Sequence, residues 1–256
     1  MVQSVAVVVP AEGGDLSGSL SVEIARTEQD LEACQRLRHQ VFAGEMGAHL
    51  HSRRPGIDED EFDAFCTHLM VRHSDSGQVV GTTRLLLDRD ARRGHGFYSE
   101  TEFNLDNIRT LPGTILEVGR TCIHADFRSR SALAILWSGL ARMVDIHQVD
   151  YLIGCASIEM GNRGLAARAL IERLAERYAL ADAQAVRPRL PLPPVEHGGP
   201  DEAVTVPPLL KGYLRLGARI SREACWDPDF DVADLFVVLD RDNLERRYAR
   251  HFMGTS

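Results

Sequence analysis

The stretch from Thr114 to Trp137, TILEVGRTCIHADFRSRSALAILW, decides the fold. It predicts a strand over 114–124 that carries one acid, Glu117, and one arginine, Arg120, followed by a basic turn and a long amphipathic helix. The first amides of a helix have no intrahelical partner, so beside a basic turn they make a ready site for an anion such as a phosphate. Leu133, Leu136, Trp137, Leu140 and Val144 give the helix, about 131–147, its buried stripe. The compact apolar run Tyr151 to Ile158 follows as a strand, and the order strand, helix, strand predicts a parallel pairing by a right-handed crossover.

Upstream, Thr27 followed by Asp30 resembles a capping box, and Leu31, Cys34, Leu37 and Val41 recur at helical spacing until Gly44, giving a helix over 28–43. An acidic run, Asp58 to Asp63, leads to two strand-like segments, 68–73 and 79–88, which flank turn residues 74–78 and predict an antiparallel hairpin. Residues 89–113 form a long polar excursion. Downstream come a helix over 162–178, a Pro-rich excursion over 187–208 that excludes regular structure, a short helix over 209–216, a strand over 233–239 and a terminal helix over 242–252. The pattern predicts one mixed α/β domain across 21–256 behind a disordered tail, 1–20.

Composition removes several functions. A net charge of -8 on 256 residues disfavours general nucleic-acid binding, which needs a dominant basic surface. Five scattered cysteines with no CxxC spacing argue against a disulfide framework and a structural zinc, and predict a reducing, cytoplasmic setting. No apolar run is long enough to span a membrane. Counted from Asp58, the sixth and twelfth positions are Asp63 and Leu69, so the acidic run lacks the glycine and glutamate of a calcium loop, and no metal is expected.

Glu117 and Arg120 are the leading catalytic candidates, because charged residues in an apolar strand are paired, used, or both. A structural ion pair is the competing reading. Period-2 alternation puts the two on opposite faces unless a bulge intervenes, which Gly119 would permit. In the turn, Arg128, Arg130 and Ser131 can supply phosphate contacts or simply solvate and cap a helix. The absence of glycines there argues against a dinucleotide or P-loop signal. Asp60 and Asp63 can share a face and attract a cation, although most such runs are solvated loops. Cys122 reads as a small buried thiol.

Taken together, Arg38…Val41-Phe42, Asp60…Phe62-Asp63, Val79 to Leu86 and Glu117-Val118-Gly119-Arg120 resemble the acyl-homoserine-lactone synthases. More closely, with 97–103, 117–124, 151–157 and 207–218, they resemble the ornithine lipid biosynthesis N-acyltransferases. Both belong to the GCN5-related N-acyltransferase superfamily, and the resemblance covers about 25–240. It implies a mixed, centrally splayed sheet flanked by helices. It also implies transfer of a (3-hydroxy)fatty acyl group from acyl carrier protein to the α-amine of ornithine, giving a lyso-ornithine lipid.

Within that implication Glu117 is the base for the amine, and backbone amides near Thr121, Cys122 and Ile123 receive the oxyanion. Asp60 or Asp63 holds the cationic end of the amino acid, Arg84 or Arg120 its carboxylate, Phe42, Phe62 and Phe103 line the acyl channel, and Arg38 counts among the substrate-binding residues. The donor is the acyl-phosphopantetheine of the carrier rather than acyl-coenzyme A, because the turn at 128–133 keeps a leading arginine but lacks the superfamily's glycines. Arg128, Arg130, Lys211 and Arg215 would meet the acidic carrier. A lipid product is compatible with peripheral contact at the inner membrane. Rival readings are an autoinducer synthase, disfavoured because 43–57 has no tryptophan and Leu116 precedes Glu117, another N-acyl amino acid synthase, and a non-catalytic carrier-binding module.

Overall fold

The computed structural model describes residues 7–10, 19–128, 130–161, 164–194 and 204–243. In place of one expected domain, the chain divides into two compact units. The described residues of 1–95 and 116–148 form the first, and those of 96–115 and 149–249 form the second.

The first unit contains β1 (Val7–Pro10), β2 (Ser19–Ile24), α1 (Glu28–His39), β3 (Thr67–His73), β4 (Val79–Leu87), α2 (Asp88–Ala91), most of β6 (Thr114–Ile123) and α4 (Arg130–Ile146). Its strands pair antiparallel in the order β1-β2-β3-β4-β6. The expected disordered tail is corrected at Val7–Pro10, where a β-branched run pairs Val7 with Val22 through Pro10 with Ser19. Residues 1–6 and 11–18 lie outside the described ones.

Helix α1 starts where the capping box puts it. Thr27 Oγ1 accepts from the Asp30 amide at 3.1 Å, and Asp30 accepts from the Thr27 amide at 3.2 Å. The expected continuation to residue 43 is instead a π-helical turn, Gln40–Glu45, closed by the Met46 amide on the Val41 carbonyl at 3.0 Å. The β3–β4 hairpin turns at Gly77, whose φ of 68° only glycine adopts cheaply. β4 is buried along its whole length, paired on both sides by β3 and β6.

Cross-strand partners share a face, so the register sorts the side chains. His68, Thr82, Arg84 and Leu86 lie on one face with their partners in β6, Glu117, Gly119 and Cys122. This is the face of α1, whose Cys34 lies beside Thr82. The opposite face takes α4, where Gly139 lets the helix close on Val22 of β2: a Cβ there would lie 2.6 Å from a Val22 methyl. The buried stripe of α4 keeps the expected Leu136, Leu140 and Val144 and adds Ala132, Ile135 and Met143, while the expected Leu133 and Trp137 are only partly buried.

The second unit contains β5 (Phe103–Asn104), α3 (Asp106–Arg109), β7 (Val149–Glu159), α5 (Leu165–Tyr178), β8 (Arg187–Pro188), α6 (Pro208–Arg215), β9 (Arg219–Ile220), β10 (Cys225–Asp227) and β11 (Val232–Asp240). β11 pairs antiparallel with β7, β10 and β9. Leu170 and Leu174 of α5 and Leu210 and Leu214 of α6 pack on Ile158, Ile220 and Leu235. Two expectations change here. The Pro-rich excursion contributes β8, paired with β5, because the edge position leaves the Pro188 nitrogen nothing to donate. The polar excursion 89–113 folds as short elements anchored by buried Phe97, Phe103, Leu105 and Ile108. The terminal helix expected from 242 shows only a 3₁₀ turn, Arg241–Asn243, before the described residues end. No helix among the described residues is long and apolar enough to cross a membrane.

Gly139→Val is expected to destabilise the protein by about 1–3 kcal/mol through overpacking against Val22, read from the urea midpoint, with Gly44→Ala, which meets nothing within 4 Å, as the near-neutral control.

Candidate active site

The site is built on the α1 face of the first unit. Arg38 projects from α1 and is 1 % exposed. Its Nε donates to Asp58 Oδ2 at 2.8 Å, one terminal nitrogen reaches the Asp58 carbonyl, and both terminal nitrogens engage the Asp63 carboxylate at 2.9 and 2.8 Å. Arg84, from β4, donates to Asp60 at 2.5 Å and to Asp63 at 2.9 Å. Gln35, one helical turn before Arg38, adds a bond to Asp63 at 2.9 Å. Phe62 lies under the Arg84 guanidinium, 5.7 Å from ring to carbon.

These partners fix the protonation states. Burial alone would raise the Asp63 carboxyl, but the hydrogen bonds and charge of Arg38, with the charge of Arg84, hold it well below the usual carboxylate range. Burial works against the charge on Arg84, and Asp60 and Asp63 outweigh it, so its affinity for the proton rises. His68, buried with its Nε2 3.2 Å from the Asp63 carbonyl, is pushed down by burial and stays neutral. Burial pushes the Cys66 thiol up to about 12 and that of Cys122 higher still, so neither is a thiolate nucleophile at neutral pH.

The second half of the site comes from a bulge. Glu117 pairs with Leu86 and Gly119 with Arg84, and then the register slips so that Cys122 pairs with Thr82. Two residues of β6, Arg120 and Thr121, therefore oppose Thr83. Arg120 has φ of 50°, so the left-handed residue of the bulge is the arginine rather than the glycine before it. Thr121 takes the opposite face, its hydroxyl 2.7 Å from that of Thr83. Arg120 turns to the Glu117 face, where its guanidinium lies 3.5 Å from Asp58 and 3.7 Å from Asp60. Glu117 is 4 % exposed, and its charge is among those acting on Cys66.

The backbone around the bulge is also sorted. The His124 amide donates to the Val80 carbonyl at 2.8 Å. Antiparallel alternation then makes Thr82–Cys122 a bonded pair and turns the Thr121 and Ile123 amides away from β4. Of the three amides expected to serve an oxyanion, the Cys122 amide is spent in the ladder.

Several expected roles change with these contacts. Asp63 cannot receive a substrate cation while Arg38, Arg84 and Gln35 fill its oxygens, and Arg84, 4 % exposed, is equally committed. Arg38 holds loop 58–63 rather than a ligand. Phe42 is buried in the π-helical turn. Phe103 belongs to the core of the second unit, its ring 5.8 Å from that of Phe236. Arg128 is half exposed and bonds the Ile123 carbonyl at 3.1 Å and the Glu45 carboxylate. Arg130 and Ser131 open α4, and the Arg130 side chain lies outside the described residues, as does Ser129. Lys211 and Arg215 are exposed on α6. Sequence reading missed Asp58, Gln35 and His68. The spacing of Gln35 and Arg38 on one helix face was a usable signal, whereas nothing local marked Asp58 apart from its acidic neighbours.

Residues 37–138 match the family described as Acetyltransferase (GNAT) domain. The chain is similar to L-ornithine Nα-acyltransferases of Agrobacterium fabrum, 34 % identical across 93 % of this chain and 86 % of that one. The relative of the same name from Rhizobium meliloti is 32 % identical across 95 % and 88 %. Among solved structures, the acyl-homoserine-lactone synthase LasI superposes with a TM-score of 0.53 at 15 % identity, covering 93 % of this chain and 96 % of that one. FeeM, an N-acyl amino acid synthase from uncultured soil microbes, gives 0.50 at 10 % identity, covering 88 % and 92 %. These likenesses establish the mixed α/β acyltransferase fold.

Stability is expected to depend on pH through two groups. A neutral buried histidine and an ionised buried aspartate both take up protons more readily when unfolded, so both contributions shrink as pH falls. Stability should decline first below about 6.5 from His68 and again below about 3.8 from Asp63, and His68→Gln should remove only the first step in thermal melts. Asp63→Ala should cost about 3–5 kcal/mol in urea unfolding, because it strands two buried guanidiniums.

Proposed function

This chain belongs to the L-ornithine Nα-acyltransferase family and is an N-acyltransferase, and from that premise we propose that it transfers a fatty acyl group from a thioester to the α-amine of ornithine. The observation that carries the reading is the bulge that brings Arg120 onto the face of buried Glu117.

Aminolysis of a thioester needs a neutral amine. The α-ammonium gives its first proton to solvent, and Glu117 takes the second as nitrogen attacks the carbonyl carbon; the tetrahedral oxyanion then collapses, the C–S bond breaks and the sulfur leaves as a thiol with the proton that Glu117 returns. The Thr121 and Ile123 amides, turned away from β4, supply donors to the oxyanion. Arg120, 16 % exposed and tethered at long range by Asp58 and Asp60, pairs with the α-carboxylate of the acceptor. Asp60, 22 % exposed, is the carboxylate assigned to the side-chain ammonium of ornithine; its Oδ2 is buried 3.7 Å from the Arg120 guanidinium without a hydrogen-bond partner. Arg38, Asp63 and Arg84 serve as the frame.

The donor is acyl carrier protein, whose arm carries a single bridging phosphate suited to the glycine-free turn of Arg128, Arg130 and Ser131. Coenzyme A is the alternative, since the structurally similar MesI is described as a CoA-dependent acyl-homoserine lactone synthase. Activity is placed in the cytoplasm, at the inner face of the membrane that receives the product.

Incubation with 3-hydroxyacyl carrier protein, or the matching coenzyme A ester, and an equimolar amino acid mixture should yield N-acyl-ornithine by mass spectrometry, faster from the carrier. Product on another amino acid, or a homoserine lactone, would replace ornithine as the acceptor. Glu117→Gln should lower kcat by about 10²–10⁴-fold. Arg120→Gln should raise the KM for ornithine by about tenfold or more, the worth of one charged hydrogen bond. An unchanged rate in the first variant would remove Glu117 as base.

A further inference from the structure

The second unit carries an open cleft of about 360 Å³. Arg168 from α5, Arg187 from β8 and Arg222 from the β9–β10 turn converge on it, with Glu172 and Glu223 at the same rim and an aliphatic and proline wall between them. Three guanidiniums against two carboxylates leave the rim one charge positive on a chain of net charge -8. Among the described residues, none of these five side chains forms a salt bridge with another. Arg168 donates from one terminal nitrogen to the Pro193 carbonyl, while its Nε is buried with no hydrogen-bond partner. Arg187 and Arg222, exposed at the rim, are the guanidiniums that an entering anionic oxygen meets first.

A second, independent observation indicates what brings the anion. Only two large hydrophobic side chains stand exposed among the described residues of this unit, Leu165 at 37 % and Leu190 at 44 %. Leu165 opens α5 three residues before Arg168, so the two are neighbours on the helix surface. Leu190 lies in the chain between cleft-lining Pro188 and Pro191. Cations that can reach phosphate, flanked by exposed leucines that can enter an acyl layer, make the pattern of interfacial membrane contact. A free phosphate would use the arginines and leave the leucines unexplained.

We propose that this cleft is a headgroup site by which the protein docks on an anionic phospholipid surface, with the three arginines on phosphodiester oxygens and Leu165 and Leu190 in the interface. Docking is read without turnover, so it stands or falls separately from the donor and acceptor assignments. The test is cosedimentation of the full chain with vesicles of phosphatidylcholine alone and of phosphatidylcholine with phosphatidylglycerol. Selective, salt-weakened binding to the second is expected. Arg187→Gln and Arg222→Gln should each weaken it about fivefold, and Leu165→Ser with Leu190→Ser should weaken it further. Arg93→Gln, in the first unit, should not, and every variant should keep its turnover on soluble substrates. No binding, equal binding to both vesicles, or binding that the cleft substitutions leave intact would overturn the proposal. Calorimetric binding of inorganic phosphate without vesicle binding would also overturn it, in favour of a free-anion site.

Discussion

The Asp63 carboxylate, gripped by Arg38 from one side and Arg84 from the other, is the constraint on which the first unit depends. Ion pairs this deep rarely add net stability over an apolar packing of equal volume, because removing the charges from water costs about as much as their attraction returns. What they add is register. A guanidinium from α1 and another from β4 can meet one carboxylate only when helix, strand and loop 58–63 hold a single arrangement. Gln35 and His68 complete that arrangement with hydrogen bonds to the same residue.

The same loop then reaches toward the bulge of β6. Asp58 accepts from Arg38 and faces Arg120, and Asp60 accepts from Arg84 and faces Arg120. The bulge gives Arg120 a left-handed backbone, a strained state for a residue with a Cβ, of the kind kept where surrounding contacts over-determine it. Two carboxylates already anchored by buried arginines are such contacts. A frame that resists titration thus stands beside the proposed base, Glu117: Asp63 stays ionised, His68 stays neutral, and burial keeps the Cys66 and Cys122 thiols protonated.

Much of this was legible from the chain. Thr27 with Asp30 marked the start of α1, Gly77 marked the hairpin, and the apolar runs located β4, β6, β7 and β11 to within a residue or two, since capping chemistry and periodicity are local properties. The pairing of Val7–Pro10 was not legible, because strand pairing depends on a partner supplied elsewhere in the chain. The π-helical turn after α1 and the burial of Ala132, Ile135 and Met143 in place of Leu133 and Trp137 on α4 were hidden for a similar reason: each depends on what the helix packs against.

The site divides along the same line. Sequence by itself singled out Glu117 and Arg120, as charges in an apolar strand, and Asp60 and Asp63, as part of an acidic run, while Arg38 and Arg84 entered only through the family resemblance. It could not apportion their duties. A carboxylate in an acidic run looks the same whether it awaits a substrate or neutralises two buried arginines, and only the tertiary contacts gave Asp63 the second duty. Likewise, period-2 alternation put Glu117 and Arg120 on opposite faces, and only the pairing of β6 with β4, which leaves one extra residue opposite Thr83, put them on the same one.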